Sequence, residues 1–195
     1  MGAQAKAAGT GRMTADEYLL WSEGAAGRWE LVDGKVVAQA SERAAHARVK
    51  LEAVIALRRA IAAGGLGCEA FADGMAVRID EATVFEPDAL VRCGPRLPGE
   101  ALEVPDPVLV GEVLSPSTRA VDVGRKLERY FDLPSLWHYL VLDPEGRTVV
   151  HHRRGEGGAI ETRVLRAGGE GEEGAALVLD PPGLRLGCGA LFEEA

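Results

Sequence analysis

The chain has 195 residues, a formal net charge of −8, and a composition that is 47% apolar and 27% charged. That is an ordinary globular composition in a chain long enough for one full hydrophobic core, at roughly 100–200 residues per domain. No run approaches the roughly 18 apolar residues of a spanning helix, so a soluble, cytoplasmic protein is expected. The acidic balance argues against indiscriminate nucleic-acid binding, which depends on Lys and Arg neutralising phosphates. Half of the excess sits in the last segment, where between Glu161 and Ala195 seven acids face three arginines. Two stretches are locally basic, Arg43 to Arg59 and Arg119 to Arg129.

Residues 1–12 carry small, flexible side chains without the apolar stretch of a secretory signal, and are expected to form a disordered extension before one domain over 13–195. Thr14 followed by Glu17 is a capping-box pattern that opens a short helix to about Glu23. Asp33-Gly34 between Trp29–Val32 and Lys35–Ala38 predicts a hairpin. From Ser41 to Ala63, Val49, Ala53, Leu57 and Ile61 recur at helical steps until Gly64-Gly65 ends the pattern. Three strands, Gly67–Ala72, Gly74–Ile79 and Thr83–Val91, are then expected as a meander. The Pro-rich stretch Arg92–Pro107 leads into the apolar run Val108–Leu114. Ser115-Pro116-Ser117-Thr118 turns the chain into a helix over Arg119–Asp132, and Leu136–Leu142 returns as a strand. Further strands follow, and Gly168–Gly174 reads as a loop. Cys68, Cys93 and Cys188 are odd in number, far apart and without a Cys-x-x-Cys pair, so reduced structural cysteines are expected.

Two acids stand out in this order. Asp88 lies in Phe85-Glu86-Pro87-Asp88-Ala89-Leu90-Val91 and Glu112 in Val108-Leu109-Val110-Gly111-Glu112-Val113-Leu114. An ionised carboxylate in such apolar surroundings costs several kcal/mol, and a divalent cation is the usual group that offsets it. Asp122, Lys126 and Tyr130 recur at four-residue steps and share one helix face. That face is either an exposed ion-paired stripe or a means of bringing Lys126 to the carboxylates. His151 and His152 are adjacent on a strand, so they point to opposite faces and cannot chelate one ion together. Ser117 and Thr118 lack an evident base partner, and Gly64-Gly65-Leu66-Gly67 lacks the helix a phosphate loop needs.

Read as an ordered set, Glu30-Leu31-Val32-Asp33-Gly34, His46, Pro87-Asp88, Glu112 to Thr118, Asp122, Lys126, Tyr130 and Tyr139 to Asp143 resemble the Uma-two family of the PD-(D/E)XK nuclease superfamily. The resemblance implies an α/β fold of the restriction-endonuclease-like sandwich type. Its mixed central β-sheet would be flanked by helices, with an N-terminal hairpin and extra C-terminal strands. It also implies a Mg²⁺-dependent DNA endonuclease, with Mn²⁺ as a substitute, in which Asp88, Glu112 and the Val113 backbone carbonyl hold the metal. The superfamily lysine is expected two residues after the acid, where this chain has Leu114; in this family it corresponds to Lys126. Glu30 matches a further family acid, or else is an exposed acid opening a hairpin strand. His46 can face the site or cap the core, and Asp122 and Tyr130 are accessory candidates. A homodimer is expected because cutting both strands takes two sites. The alternative is a non-catalytic nucleic-acid or protein-binding module on the same fold.

Overall fold

The computed structural model describes residues 11–114, 122–168 and 176–192. The fold is a mixed α/β sandwich. Helix α1 (Ala15–Ser22) starts at the Thr14 capping box, and the hairpin β1 (Trp29–Val32) and β2 (Lys35–Ala38) turns at Asp33 and Gly34, both with positive φ. Helix α2 (Ala44–Gly64) stops where Gly65 takes the left-handed conformation at φ 59°. The chain continues through β3 (Cys68–Ala72), β4 (Val77–Asp80), β5 (Thr83–Phe85), β6 (Ala89–Cys93) and β7 (Pro107–Val113). Helix α3 (Asp122–Phe131) precedes β8 (His138–Asp143), β9 (Thr148–Arg154), β10 (Ile160–Arg166), β11 (Ala176–Leu179) and β12 (Leu184–Gly187).

The strands form a four-stranded sheet in the order β2-β1-β5-β4, a six-stranded sheet in the order β10-β9-β8-β7-β6-β3, and the β11-β12 hairpin. Among the described residues the strand pairings are antiparallel except β7 with β8, which α3 connects as a crossover, apart from an isolated parallel bridge between Ala76 and Glu103. Period-two alternation divides the six-stranded sheet into two buried faces. Leu109, Val113, Leu140, Leu142 and Val149 pack with Val49, Ala53, Leu57 and Ile61 of α2 and with Leu177, Leu179 and Leu184 of the terminal hairpin. On the opposite face Val110, Tyr139 and Val141 pack with Tyr130 and Phe131 of α3 and with Val77 and Phe85 of the smaller sheet. Glu112 shares the second face with Val110, so it emerges between the sheet, α3 and the smaller sheet.

Two expectations are corrected. The run Thr83–Val91 is two strands in different sheets, because Glu86-Pro87-Asp88 carries the chain from β5 across to β6, and Asp88 lies in that crossing, just ahead of the strand. The meander accordingly reduces to the β4-β5 hairpin, since β3 pairs with β6. Cys68 and Cys93 are direct register partners on those two strands and form a disulfide, leaving Cys188 as the buried free thiol. Sequence separation conceals a pairing that strand register creates.

The helix-α2 face also holds a buried imidazole pair. His138 Nε2 lies 2.8 Å from the Pro181 carbonyl, and His138 Nδ1 lies 2.9 Å from His151 Nε2. A carbonyl only accepts, so His138 donates from Nε2 and its Nδ1 must accept from His151. Protonating His138 would set two N–H groups against each other, and burial with the neighbouring charges holds both rings down at about 4. As His152 lies on the other face, stacked on Tyr139, the two adjacent histidines do diverge. Since both folded values lie below the ordinary 6.5, the pair's contribution is complete above pH 6.5 and is lost as pH falls through 4. Relative to a His138→Gln/His151→Gln variant, the wild-type advantage in urea unfolding is expected to shrink across that window, by on the order of 3 kcal/mol for one imidazole; a pH-independent difference would contradict the tautomer chain.

Candidate active site

The site forms where the two sheets and two helices meet. Lys126 enters from α3 and is only 7% exposed. Its Nζ donates to Glu30 Oε1 of β1 at 2.8 Å and to Glu112 Oε1 of β7 at 3.0 Å. Tyr130, one turn further along α3, donates its hydroxyl to the same Glu112 oxygen at 2.8 Å. The Glu86 backbone N–H donates to Glu30 Oε1 at 3.1 Å, so Glu30 is fixed from both the smaller sheet and α3. Glu30 is therefore buried and ion-paired and not an exposed strand-opening acid.

Asp88 sits beside this group. The Val113 backbone N–H donates to its Oδ2 at 2.8 Å. Helix α2 supplies two further neighbours on one face, four residues apart: His46 Nε2 at 3.2 Å from Oδ2, out of line for a hydrogen bond, and Lys50 Nζ at 3.1 Å from Oδ1. Arg28 approaches Oδ1 to 3.6 Å. Lys50 also reaches Asp73 at 3.0 Å and Glu42, while Arg28 pairs with Glu42. Six of the sequence-derived residues thus converge: Glu30, His46, Asp88, Glu112, Lys126 and Tyr130. Val113 meets Asp88 through its N–H. The Asp122 side chain lies outside the described residues, as does the Ser115–Thr118 turn. Lys50 and Arg28 were missed. Lys50 is one turn from His46 on the same face, a readable signal; Arg28, at the end of a loop, offers none.

The electrostatics separate the two acids. Burial pushes both carboxyls upward, but at Asp88 the His46, Lys50 and Val113 contacts overcome it and hold the group well below the usual carboxylate range. At Glu112 burial prevails: Lys126 and Tyr130 pull down, the Asp88 and Glu30 charges push up, and the carboxyl is raised to about 7. Burial lowers Lys126, yet Glu112 and Glu30 together keep its ammonium well above the ordinary lysine value. Glu30 and Glu112 thus share one buried ammonium, and Asp88 lies within electrostatic reach of Glu112. A second grouping, Glu42, His46 and Asp88, brings its ligand atoms within 4.8 Å of one another and shares Asp88 with the first.

The sequence pattern that defines the Uma2 family, described as "Putative restriction endonuclease", matches residues 15–185. Two uncharacterized Synechocystis proteins are similar. One, slr1290, is 28% identical over 148 residues, 75% of this chain and 77% of the relative. The other, sll1609, is 31% identical over 145 residues, 73% and 81% of the two chains. Among solved structures, a "putative nuclease belonging to DUF820" from Anabaena variabilis superimposes with a TM-score of 0.70 at 19% identity, covering 92% of this chain and 97% of its own.

Breaking a buried ion pair leaves an uncompensated charge at a cost of about 3–5 kcal/mol. Lys126→Met is therefore expected to destabilise the chelator-treated protein by about 3 kcal/mol at pH 8, against about 1 kcal/mol for Tyr130→Phe. Because the Glu112 carboxyl is raised, its protonation favours the folded state, fully below 4.5 and progressively less as pH rises through 7. The Lys126→Met penalty should shrink toward pH 5 in denaturant titrations; a penalty that grew on acidification would contradict the assigned charges.

Proposed function

We propose, on the premise that this chain belongs to the Uma2 family, that it is a Mg²⁺-dependent endonuclease hydrolysing phosphodiester bonds in DNA. The observation that supports this most is the Lys126 ammonium bound to both Glu30 and Glu112, drawn from two sheets and a crossover helix, with Asp88 held next to it in sequence register by the Val113 N–H that follows Glu112. The donor set fits a hard divalent cation. It is all oxygen, and Glu112 is raised toward neutrality by burial and further by the Asp88 and Glu30 charges, a repulsion a dication would relieve. Asp88 and Glu112 would hold the ion, with the Val113 carbonyl as a further donor. Bound there, Mg²⁺ would supply Lewis-acid polarisation of the phosphate and acidify water for in-line attack.

The chain's own groups have distinct tasks in this reading. The Val113 N–H fixes the Asp88 carboxylate in direction. Tyr130 and Lys126 hold Glu112 by one oxygen and leave the other to a ligand. The Glu112 carboxyl, raised to about 7, would give up its proton to solvent if a cation bound there. The Lys126 ammonium, fixed by Glu30, is preorganised against negative charge that develops on the phosphate, the type of electrostatic stabilisation that dominates many sites. Residues 13–195 act here as one endonuclease-like unit, in the cytoplasm and as a homodimer that presents two such centres to the two strands.

One observation favours a second reading. Asp88 already has Lys50 and His46 against its oxygens, as a purely structural acid in a non-catalytic binding module would. The two readings part in a cleavage assay. With Mg²⁺ or Mn²⁺, wild-type protein is expected to cut single-stranded, duplex or branched DNA, chelator to abolish cutting, and Asp88→Ala or Lys126→Ala to lower the rate at least about 100-fold. Equal activity in Asp88→Ala and wild type would sink the hydrolytic reading.

A further inference from the structure

The six-stranded sheet ends on β10, and no strand pairs with the outer side of β10 among the described residues. Exposed edges of this kind are usually blunted by proline, a bulge, a covering segment or charge, because their unpaired amides are a template for another chain. Strand β10 contains no proline, and its register with β9 runs unbroken over seven residues, Ile160–Arg166. Its central charges are of opposite sign, Glu161 and Arg163.

The two ends of the pairing fix the direction of the β10 amides. The Gly155 N–H donates to the Ala159 carbonyl at 2.7 Å, and the Ala167 N–H to the Arg147 carbonyl at 2.9 Å. Both bonds extend the β9-β10 register, so Glu161, Arg163 and Leu165 between them bond to β9, while Ile160, Thr162 and Val164 turn their N–H and C=O groups outward. Thr162 Oγ1 lies 2.8 Å from His152 Nδ1 of β9, so the hydroxyl leans inward and leaves the outer edge to the backbone. Single exposed apolar side chains are ordinary; the informative feature is their order. Ile160, 41% exposed, and Val164, 69% exposed, stand symmetrically about Thr162, and so do Glu161 and Arg163. Arg163 makes no ion pair among the described residues, and Glu161 has Arg153 only at 4.0 Å.

We infer that β10 pairs antiparallel with β10 of a second copy of this chain, about a two-fold axis at Thr162, so that two six-stranded sheets join into one; the purpose of the pair, two centres for two DNA strands, rests on the nuclease reading above. A two-fold contact must be complementary to itself. In this register Thr162 meets its counterpart and Ile160 meets Val164, all through outward amides. Glu161 meets Arg163 on both sides of the axis, at the non-hydrogen-bonded positions where opposed side chains come closest. An axis at Arg163 or at Glu161 would instead set like charges against each other, and an axis at Val164 would leave Arg163 opposite Leu165. Strands β8 and β9 separate this seam from Glu112 on β7, so the contact leaves the candidate active site open.

Sedimentation velocity of the full-length protein in chelator, over a concentration series, reads the association directly. The seam is narrow, so a reversible, concentration-dependent dimer is expected. Arg163→Glu or Glu161→Arg places like charges opposite each other on both sides of the axis and should raise the dissociation constant about tenfold. An equimolar mixture of the two variants is opposite in charge at both places and should associate like wild type, as should the double variant Glu161→Arg/Arg163→Glu. Both side chains are exposed, and recovery in the mixture shows that neither single change acts by unfolding the strand. A monomer at the highest soluble concentration would leave the edge to some other occupant and overturn the inference. A dimer indifferent to the single changes, or a mixture and a double variant as weak as the singles, would overturn it too. The measurement needs neither metal nor DNA. A monomer that cuts DNA therefore counts against this inference alone, and a β10-paired dimer that cannot cut counts against the nuclease reading alone.

Discussion

The site depends on one buried ammonium. Lys126 joins Glu30 of the smaller sheet to Glu112 of the larger, and does so from the helix that connects β7 to β8. The contact therefore ties three elements together at the point where each would otherwise bury an uncompensated charge. Neither acid is tolerable there without it, since desolvating an isolated carboxylate costs several kcal/mol, an order that exceeds what surrounding apolar packing can absorb at one position. The aromatic side chains of the same face, Phe85, Tyr130 and Tyr139, pack edge on and tilted at 5.2 Å spacings and keep water from the pair. Shape and charge are coupled: the packing raises the cost of an unpaired ion, and the ion pair fixes how α3 lies on the sheet.

A division of labour follows from how each acid is surrounded. Asp88 is kept ionised by α2, through His46 and Lys50, and by the Val113 N–H. At Glu112, desolvation and the Asp88 and Glu30 charges outweigh the pull of Lys126 and Tyr130 and drive the carboxyl toward its protonated form. Two carboxyls a few residues apart in space thus differ in readiness to carry a proton, the arrangement from which acid and base roles are usually drawn. Helix α2 is accordingly more than a core helix. Its face turns from Ala53, Leu57 and Ile61 against the sheet to His46 and Lys50 at the site, so one amphipathic stripe serves both packing and charge.

Much of this was legible in the sequence. Asp33-Gly34 specifies a hairpin because few other pairs adopt positive φ at both positions. The four-residue recurrence of Lys126 and Tyr130 places both on one face, and both do reach Glu112. What escaped was set by tertiary register. The apolar residues from Thr83 to Val91 have the composition of one strand, and only pairing shows the chain changing sheets at Pro87, which is what places Asp88 at the mouth of β6. Cys68 and Cys93 become neighbours through the β3-β6 register alone. Lys50 looks like one of several helix cations until the fold buries it to 6% exposure among Glu42, Asp73 and Asp88. Arg28 acquires meaning only from the elements that surround it.

The central claim is that Asp88 and Glu112 hold a divalent cation beside Lys126. Anomalous diffraction from crystals soaked in Mn²⁺ tests it most directly. The account predicts a peak within bonding distance of one oxygen of each carboxylate, with Lys126 still bound to Glu30. No peak at millimolar Mn²⁺, or a peak confined to Glu42, His46 and Asp88 with Glu112 still held only by Lys126 and Tyr130, would contradict it.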